Sequence, residues 1–268
     1  FQYMSNYNEI TSSQNGSSWD SCWIYRKSLE TTHPASAEPL SVDIRMYIPN
    51  RSNLDDKMVP AVIMLPPTGG VNTLDKKMAK TFCSENMAAI IIENDFANIE
   101  SQANGKLLDP EYHELSYHRA TAAIKAVMKL IEDDVHLDTQ RTGLFGVSLG
   151  GILGAFAMST QPELAAGYLI VSGGDVPYIL AHSEQDEVSK IRRKRMNEQG
   201  FGSRDEYESF LRDHMTLDPM ELTLTMLPET LHMVISKRDD NVPTDSQHAL
   251  HLAYGEPDAT YTTSGHVA

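Results

Sequence analysis

Two short runs constrain the fold of this chain more than any other feature, Val59 to Leu65 (VPAVIML) and Ala88 to Ile92 (AAIII). Both are nearly continuous in apolar or β-branched residues, the pattern required of strands buried on both faces. Between them Leu74 to Glu85 has helical spacing. Tyr117 to Ile131 predicts a long helix with Ala120, Ala123, Ile124, Val127, Met128 and Ile131 on one side. Thr142 to Gly146, Ala166 to Val171, Leu231 to Ile235 and Thr260 to Thr263 read as further strands. Ile152 to Met158 and Asp245 to Leu252 read as helices. Alternating strands and helices in this order indicate an α/β fold with a mostly parallel sheet and helices on both faces. Upstream, Trp23 to Leu29 and Ser41 to Ile48 alternate apolar and polar residues, as strands with one exposed face do, and Pro34 to Pro39 is the turn between them.

A chain of 268 residues, 41% hydrophobic, can bury one large core, so a single domain over residues 21–268 is expected. Residues 1–20 are crowded with Asn, Ser, Thr and Gln and have little apolar surface to offset ordering, so they read as a flexible leader. The strand–helix rhythm breaks between Val176 and Leu227, a charged helical stretch before the penultimate strand. It is expected to be a cap insertion over the sheet edge.

Lys and Arg total 22 against 37 Asp and Glu, a net charge of −15, with no basic stripe to follow a phosphate backbone, so nucleic acid is excluded as a partner. The basic cluster Lys190 to Arg195 reads as an exposed helix face. No run reaches the roughly 20 apolar residues of a membrane-spanning helix. The chain starts at Phe1 and reads as a processed or trimmed product. Its two cysteines, Cys22 and Cys83, are either two buried thiols or one disulfide. The disulfide is favoured and would place the chain in a secreted or periplasmic setting; free thiols would fit the cytoplasm. The oligomeric state is left open.

Gly146-Val147-Ser148-Leu149-Gly150 is a G-x-S-x-G motif followed by Gly151. An apolar strand ends at its first glycine, and a helix of small residues begins at once. A turn that tight holds its serine in a strained backbone conformation, and glycines two residues either side avoid collisions. Ser148 would then project above the sheet beside helix N-terminal amides suited to developing negative charge. The competing reading is a glycine-rich turn with a helix-capping serine.

With this motif in this setting, the chain from about Cys22 onward resembles the α/β-hydrolase superfamily. The resemblance implies that fold, with Ser148 as nucleophile, an acid after a later strand and a histidine after the last. Ser236-Lys237-Arg238-Asp239-Asp240-Asn241-Val242-Pro243 looks like the family's acid turn, with Asp239 in the acid position and Asp240 and Asp175 as rivals. Ser264-Gly265-His266 resembles its terminal Gly-His. The oxyanion donors would be the amides of Leu149 and, in Leu65-Pro66-Pro67-Thr68-Gly69-Gly70, of Thr68, because Pro66 and Pro67 have no N–H; Gly69 comes next. His248 and His251 have the i, i+3 spacing of a metal pair but no companion ligands, so neither a metal nor a cofactor is expected.

The pattern Pro66-Pro67-Thr68-Gly69-Gly70 with Asn72 and Asp75 looks most like the bacterial dienelactone-hydrolase and small-esterase branch. The usual nucleophile of dienelactone hydrolases is cysteine, so Ser148 argues against that substrate. The expected function is hydrolysis of small or medium carboxylic esters through an acyl-enzyme. The alternatives are a serine peptidase, amidase or thioesterase on the same fold, or a non-catalytic binding protein.

Overall fold

The computed structural model describes residues 8–11, 22–32, 39–50, 58–94, 96, 110–222 and 227–266. Nine strands form one sheet: β1 (Asn8–Thr11), β2 (Cys22–Thr32), β3 (Pro39–Pro49), β4 (Val59–Leu65), β5 (Ala88–Ile92), β6 (Leu137–Val147), β7 (Ala166–Ile170), β8 (Leu231–Ser236) and β9 (Asp258–Thr262). Their order is β1-β2-β3-β5-β4-β6-β7-β8-β9. Pairing is antiparallel from β1 to β5 and parallel from β5 to β9. Every strand expected from Trp23 onward is present. Asn8–Thr11, inside the segment read as a flexible leader, instead pairs with β2, because an open edge offers unpaired amides and carbonyls. The rest of that segment, and all of the expected turn except Pro39, lies outside the described residues.

The seven helices are α1 (Thr73–Ser84), α2 (Pro110–Asp133), α3 (Leu149–Thr160), α4 (Val176–His182), α5 (Asp186–Gln199), α6 (Arg204–His214) and α7 (Thr244–Ala253) among the described residues. The two-faced burial expected of β4 and β5 follows from how they are flanked. Ala61, Ile63, Leu65, Ala88, Ile90 and Ile92 face one core with residues of α2, α3 and α7. Met64, Ala89 and Ile91 face a second core with Ala79 and Cys83 of α1. Helices α4, α5 and α6 occupy the stretch expected to be an insertion. Within α5, Arg193 and Lys194 are exposed as expected, but Arg192 is not: it is 2% exposed and donates to the Ser183 carbonyl at 2.6 Å. The helical period turns that one position of the basic cluster inward.

Cys22 at the start of β2 and Cys83 at the end of α1 are joined as a disulfide, with Cα atoms 6.1 Å apart and a sequence separation of 61. A cross-link over a loop of that length removes denatured-state freedom equivalent to about 4 kcal/mol. The double variant Cys22→Ser/Cys83→Ser is therefore expected to unfold at a clearly lower urea concentration than the oxidised protein. Coincident transitions would show that the bond does not form.

Candidate functional site

Strand β6 ends at Val147 and α3 begins at Leu149, leaving Ser148 alone to reverse the chain direction. It does so at φ 53° and ψ −120°, a conformation costly for any residue with a Cβ. Its amide donates to the Ile170 carbonyl at 2.9 Å, and its carbonyl accepts the first helical bond, from Ile152, at 2.9 Å. Its side chain makes no capping hydrogen bond, which removes the reading of Ser148 as a helix cap.

The flanking glycines are required by contact. A Cβ on Gly146 would lie 2.7 Å from the carbonyl carbon of Gly150. One on Gly150 would lie 2.5 Å from the Pro66 carbonyl oxygen and closer still to that of Leu65. One on Gly151 would meet the Ser172 side chain at 2.9 Å. The motif thus packs a helix start directly against the end of β4.

Asp239 follows β8 and is 2% exposed. One carboxylate oxygen accepts from the amides of Asn241 at 2.9 Å and Val242 at 3.0 Å. The other accepts from Gln247 Nε2 at 3.0 Å, and His266 Nδ1 spans both oxygens, 2.9 Å from this one and 3.0 Å from the first. Among the rivals, Asp175 sits at φ 53° at the start of α4, accepts from the Tyr178 amide at 3.4 Å and pairs with Arg212 at 2.8 Å. Asp240 is exposed, and its carbonyl accepts from the Glu184 amide. Of the three, Asp239 is the one in contact with His266.

Ser148 and His266 line one cleft of about 530 Å³ together with Thr68 and Leu149. No hydrogen bond joins the Ser148 and His266 side chains, both of which are described. Apo sites commonly hold such pairs loosely before substrate arrives. As the first residue of α3, Leu149 has an amide with no acceptor inside its helix. Thr68 lies in the Pro67–Gly70 turn, closed by the Gly70 amide on the Pro67 carbonyl at 3.1 Å. Val176, Ile179 and Leu180 of α4 and Val188 of α5 line the same cleft.

Asn72 and Asp75 form a reciprocal helix cap on α1. Asn72 Oδ1 accepts from the Leu74 amide at 2.7 Å and the Asp75 amide at 3.2 Å, and Asp75 Oδ2 accepts from the Asn72 amide at 2.8 Å. Their part of the motif fixes the direction of α1 below the Pro67–Gly70 turn. His251 Nε2 lies 2.8 Å from the Pro257 carbonyl, and His248 stacks on Tyr261, so the two do not converge. His182, Asp205 and Glu208 are close enough to surround a cation, yet Glu208 already faces Arg212 at 2.6 Å. A guanidinium there competes with any metal ion.

Two residues of the site escape sequence reasoning. Gln247 on α7 is fully buried and spans the acid turn: it donates to Asp239 and to the Val242 carbonyl at 2.7 Å, and accepts from the Ser236 amide at 3.0 Å. Nothing in the sequence singles it out. His113 also lines the cleft, and is 4% exposed. Its burial pushes its pKa down to about 4, so the ring is neutral at neutral pH. It stands four residues before Tyr117, on the apolar side of α2, so extending that periodicity back one turn would have found it.

No protein-family model matches the chain, and no curated protein matches it by sequence. Solved structures do. An acetyl xylan esterase from Paenibacillus sp. R4 superposes with a TM-score of 0.63 at 13% identity, over 98% of this chain and 83% of that one. A protein assigned as a dienelactone hydrolase from Klebsiella pneumoniae gives 0.58 at 14% identity, over 90% and 88%. The chain has the α/β-hydrolase fold. A puromycin-hydrolyzing peptidase from Mycobacterium tuberculosis also aligns, at a TM-score of 0.64 and 14% identity, over 95% of this chain but 37% of the peptidase. Identities this low establish the α/β-hydrolase architecture and leave the chemistry to the site itself.

Proposed function

We propose that this α/β-hydrolase-fold chain is a serine hydrolase that cleaves small or medium carboxylic esters through an acyl-enzyme intermediate. The observation that carries this reading is the His266–Asp239 hydrogen bond at 2.9 Å in the same cleft as a strained, uncapped Ser148. Asp239 holds Nδ1 of His266 protonated, which leaves Nε2 as the base. Nε2 takes the Ser148 proton as Oγ attacks the ester carbonyl carbon. The carbonyl π-bond electrons move to oxygen, where the amides of Leu149 and Thr68 donate to the oxyanion. As the carbonyl reforms, the C–O bond to the alcohol breaks and His266 passes its proton to that alcohol. Water, deprotonated by the same imidazole, then releases the acid and restores Ser148.

The size of the cleft and its apolar cap wall favour a short or medium substrate over a polymer chain threaded through the site. The Cys22–Cys83 bond supports export to an oxidising compartment, secreted or periplasmic. A fluorophosphonate probe is expected to label the wild-type protein at one site and to leave Ser148→Ala unlabelled. Labelling that persists in Ser148→Ala would refute the nucleophile. A wild-type protein inert to the probe and to p-nitrophenyl esters would refute the hydrolase.

A further inference from the structure

His113 carries a chemical demand that the proposed triad does not meet. Both ring nitrogens are buried and have no hydrogen-bonding partner among the described residues. Such groups are rare inside folded proteins, because each loses its hydrogen bonds to water without replacement. Among the described residues with a buried, unpartnered polar atom, His113 is the one that lines the cleft holding Ser148 and His266. The ring is held edge-on against Tyr117 at 5.1 Å, and Tyr117 stacks on Phe156 of α3 at 4.5 Å. Packing therefore fixes its position relative to α3, the helix that follows Ser148.

We infer that His113 is a specificity-determining residue that hydrogen-bonds a hydroxyl group on the substrate, making the preferred substrates esters of hydroxylated alcohols or of hydroxy acids. This inference rests on the ester-hydrolase reading above. A neutral imidazole offers one N–H and one bare nitrogen, and which ring position carries the proton depends on the tautomer. Only a group that both donates and accepts satisfies either tautomer, and a hydroxyl is the smallest that does. A carbonyl only accepts. A charged group would find no counter-charge on the ring, which burial keeps neutral.

The test is discrimination within matched pairs, measured as ratios of kcat/KM so that losses common to both members cancel. One pair varies the alcohol, 2,3-dihydroxypropyl butyrate against propyl butyrate. The other varies the acyl group, p-nitrophenyl 3-hydroxybutyrate against p-nitrophenyl butyrate. The wild type is expected to favour the hydroxylated member of one pair by roughly 10- to 100-fold, and that pair identifies the side of the ester that reaches His113. His113→Phe is expected to bring the ratio to about 1, and His113→Asn, which still donates and accepts, to hold an intermediate value. Ratios near 1 for the wild type in both pairs overturn the inference whether or not the variants fold, as does a preference that survives in His113→Phe. A wild type that the fluorophosphonate labels and that turns over the plain esters without preference sinks only this inference. A wild type that neither reacts with the probe nor turns over any ester sinks the hydrolase reading with it.

Discussion

His266→Ala is expected to lower kcat for p-nitrophenyl acetate on the order of a million-fold, and Asp239→Asn about ten-thousand-fold, with Asp175→Asn within about tenfold of wild type. In the proposed mechanism, removing the imidazole takes away the group that accepts and returns the proton at each step, and what is left is binding and oxyanion stabilisation. Asp239→Asn keeps the shape of the side chain but not its charge or its acceptors. The native carboxylate receives four donors: two amides, Gln247 Nε2 and His266 Nδ1. An amide side chain has one acceptor oxygen and an NH2, so at least one of those donors faces another donor. The Asn241 and Val242 amides are fixed by the turn, which orients the carboxamide oxygen toward them and the NH2 toward His266. The ring then turns its bare nitrogen to that NH2 and its N–H to Ser148, the tautomer that cannot take the serine's proton. Asp175 is tied to Arg212 and to the first turn of α4, so its loss is felt through the helix that lines the cleft. A large loss in Asp175→Asn together with near-normal turnover in Asp239→Asn would move the acid to the end of β7.

What the sequence made legible follows from how local each signal is. VPAVIML and AAIII have one environment that suits them, a strand covered on both sides, so β4 and β5 were placed to the residue. The serine turn was legible because a strand end, three glycines and a small-residue helix occur within a dozen positions. Asp239 and His266 were found through order along the chain, and the structure is needed to see that 27 positions of separation close to a hydrogen bond. The turn pattern favoured Asp239 over Asp240 and Asp175, but each follows a strand in a polar turn, and partners in space show which of them touches His266. Gln247 was invisible for a related reason: its three hydrogen bonds all reach residues outside its own helix. The pairing of Asn8–Thr11 with β2 has no signal in composition, which measures what a segment can bury, while an edge strand gains most from backbone pairing.

Gly150→Ala is expected to abolish hydrolysis and to destabilise the fold by roughly 4 kcal/mol or more, the range reserved for changes the surroundings cannot absorb. Gly150 sits inside α3 with an ordinary helical backbone, so a local propensity scale would score alanine there as an improvement. The obstacle is the end of β4. The new methyl would press into the Leu65 and Pro66 carbonyl oxygens, which are main-chain atoms of a buried central strand and its exit turn. Neither can swing aside as a side chain would. Relief requires α3 to lift from the sheet or the Pro66-Pro67-Thr68 loop to retreat, and each movement separates Ser148 and Leu149 from Thr68. Activity and stability should therefore fall together, measured as kcat/KM on a p-nitrophenyl ester and as the midpoint of urea unfolding. Gly200→Ala is the matched control: at φ +79° it ends α5 with nothing within 4 Å of the added methyl, so its cost is the left-handed backbone alone, about 1 kcal/mol, far from the cleft. Equal losses in the two variants would mean that the tight approach of α3 to β4 is not what holds the serine turn in place.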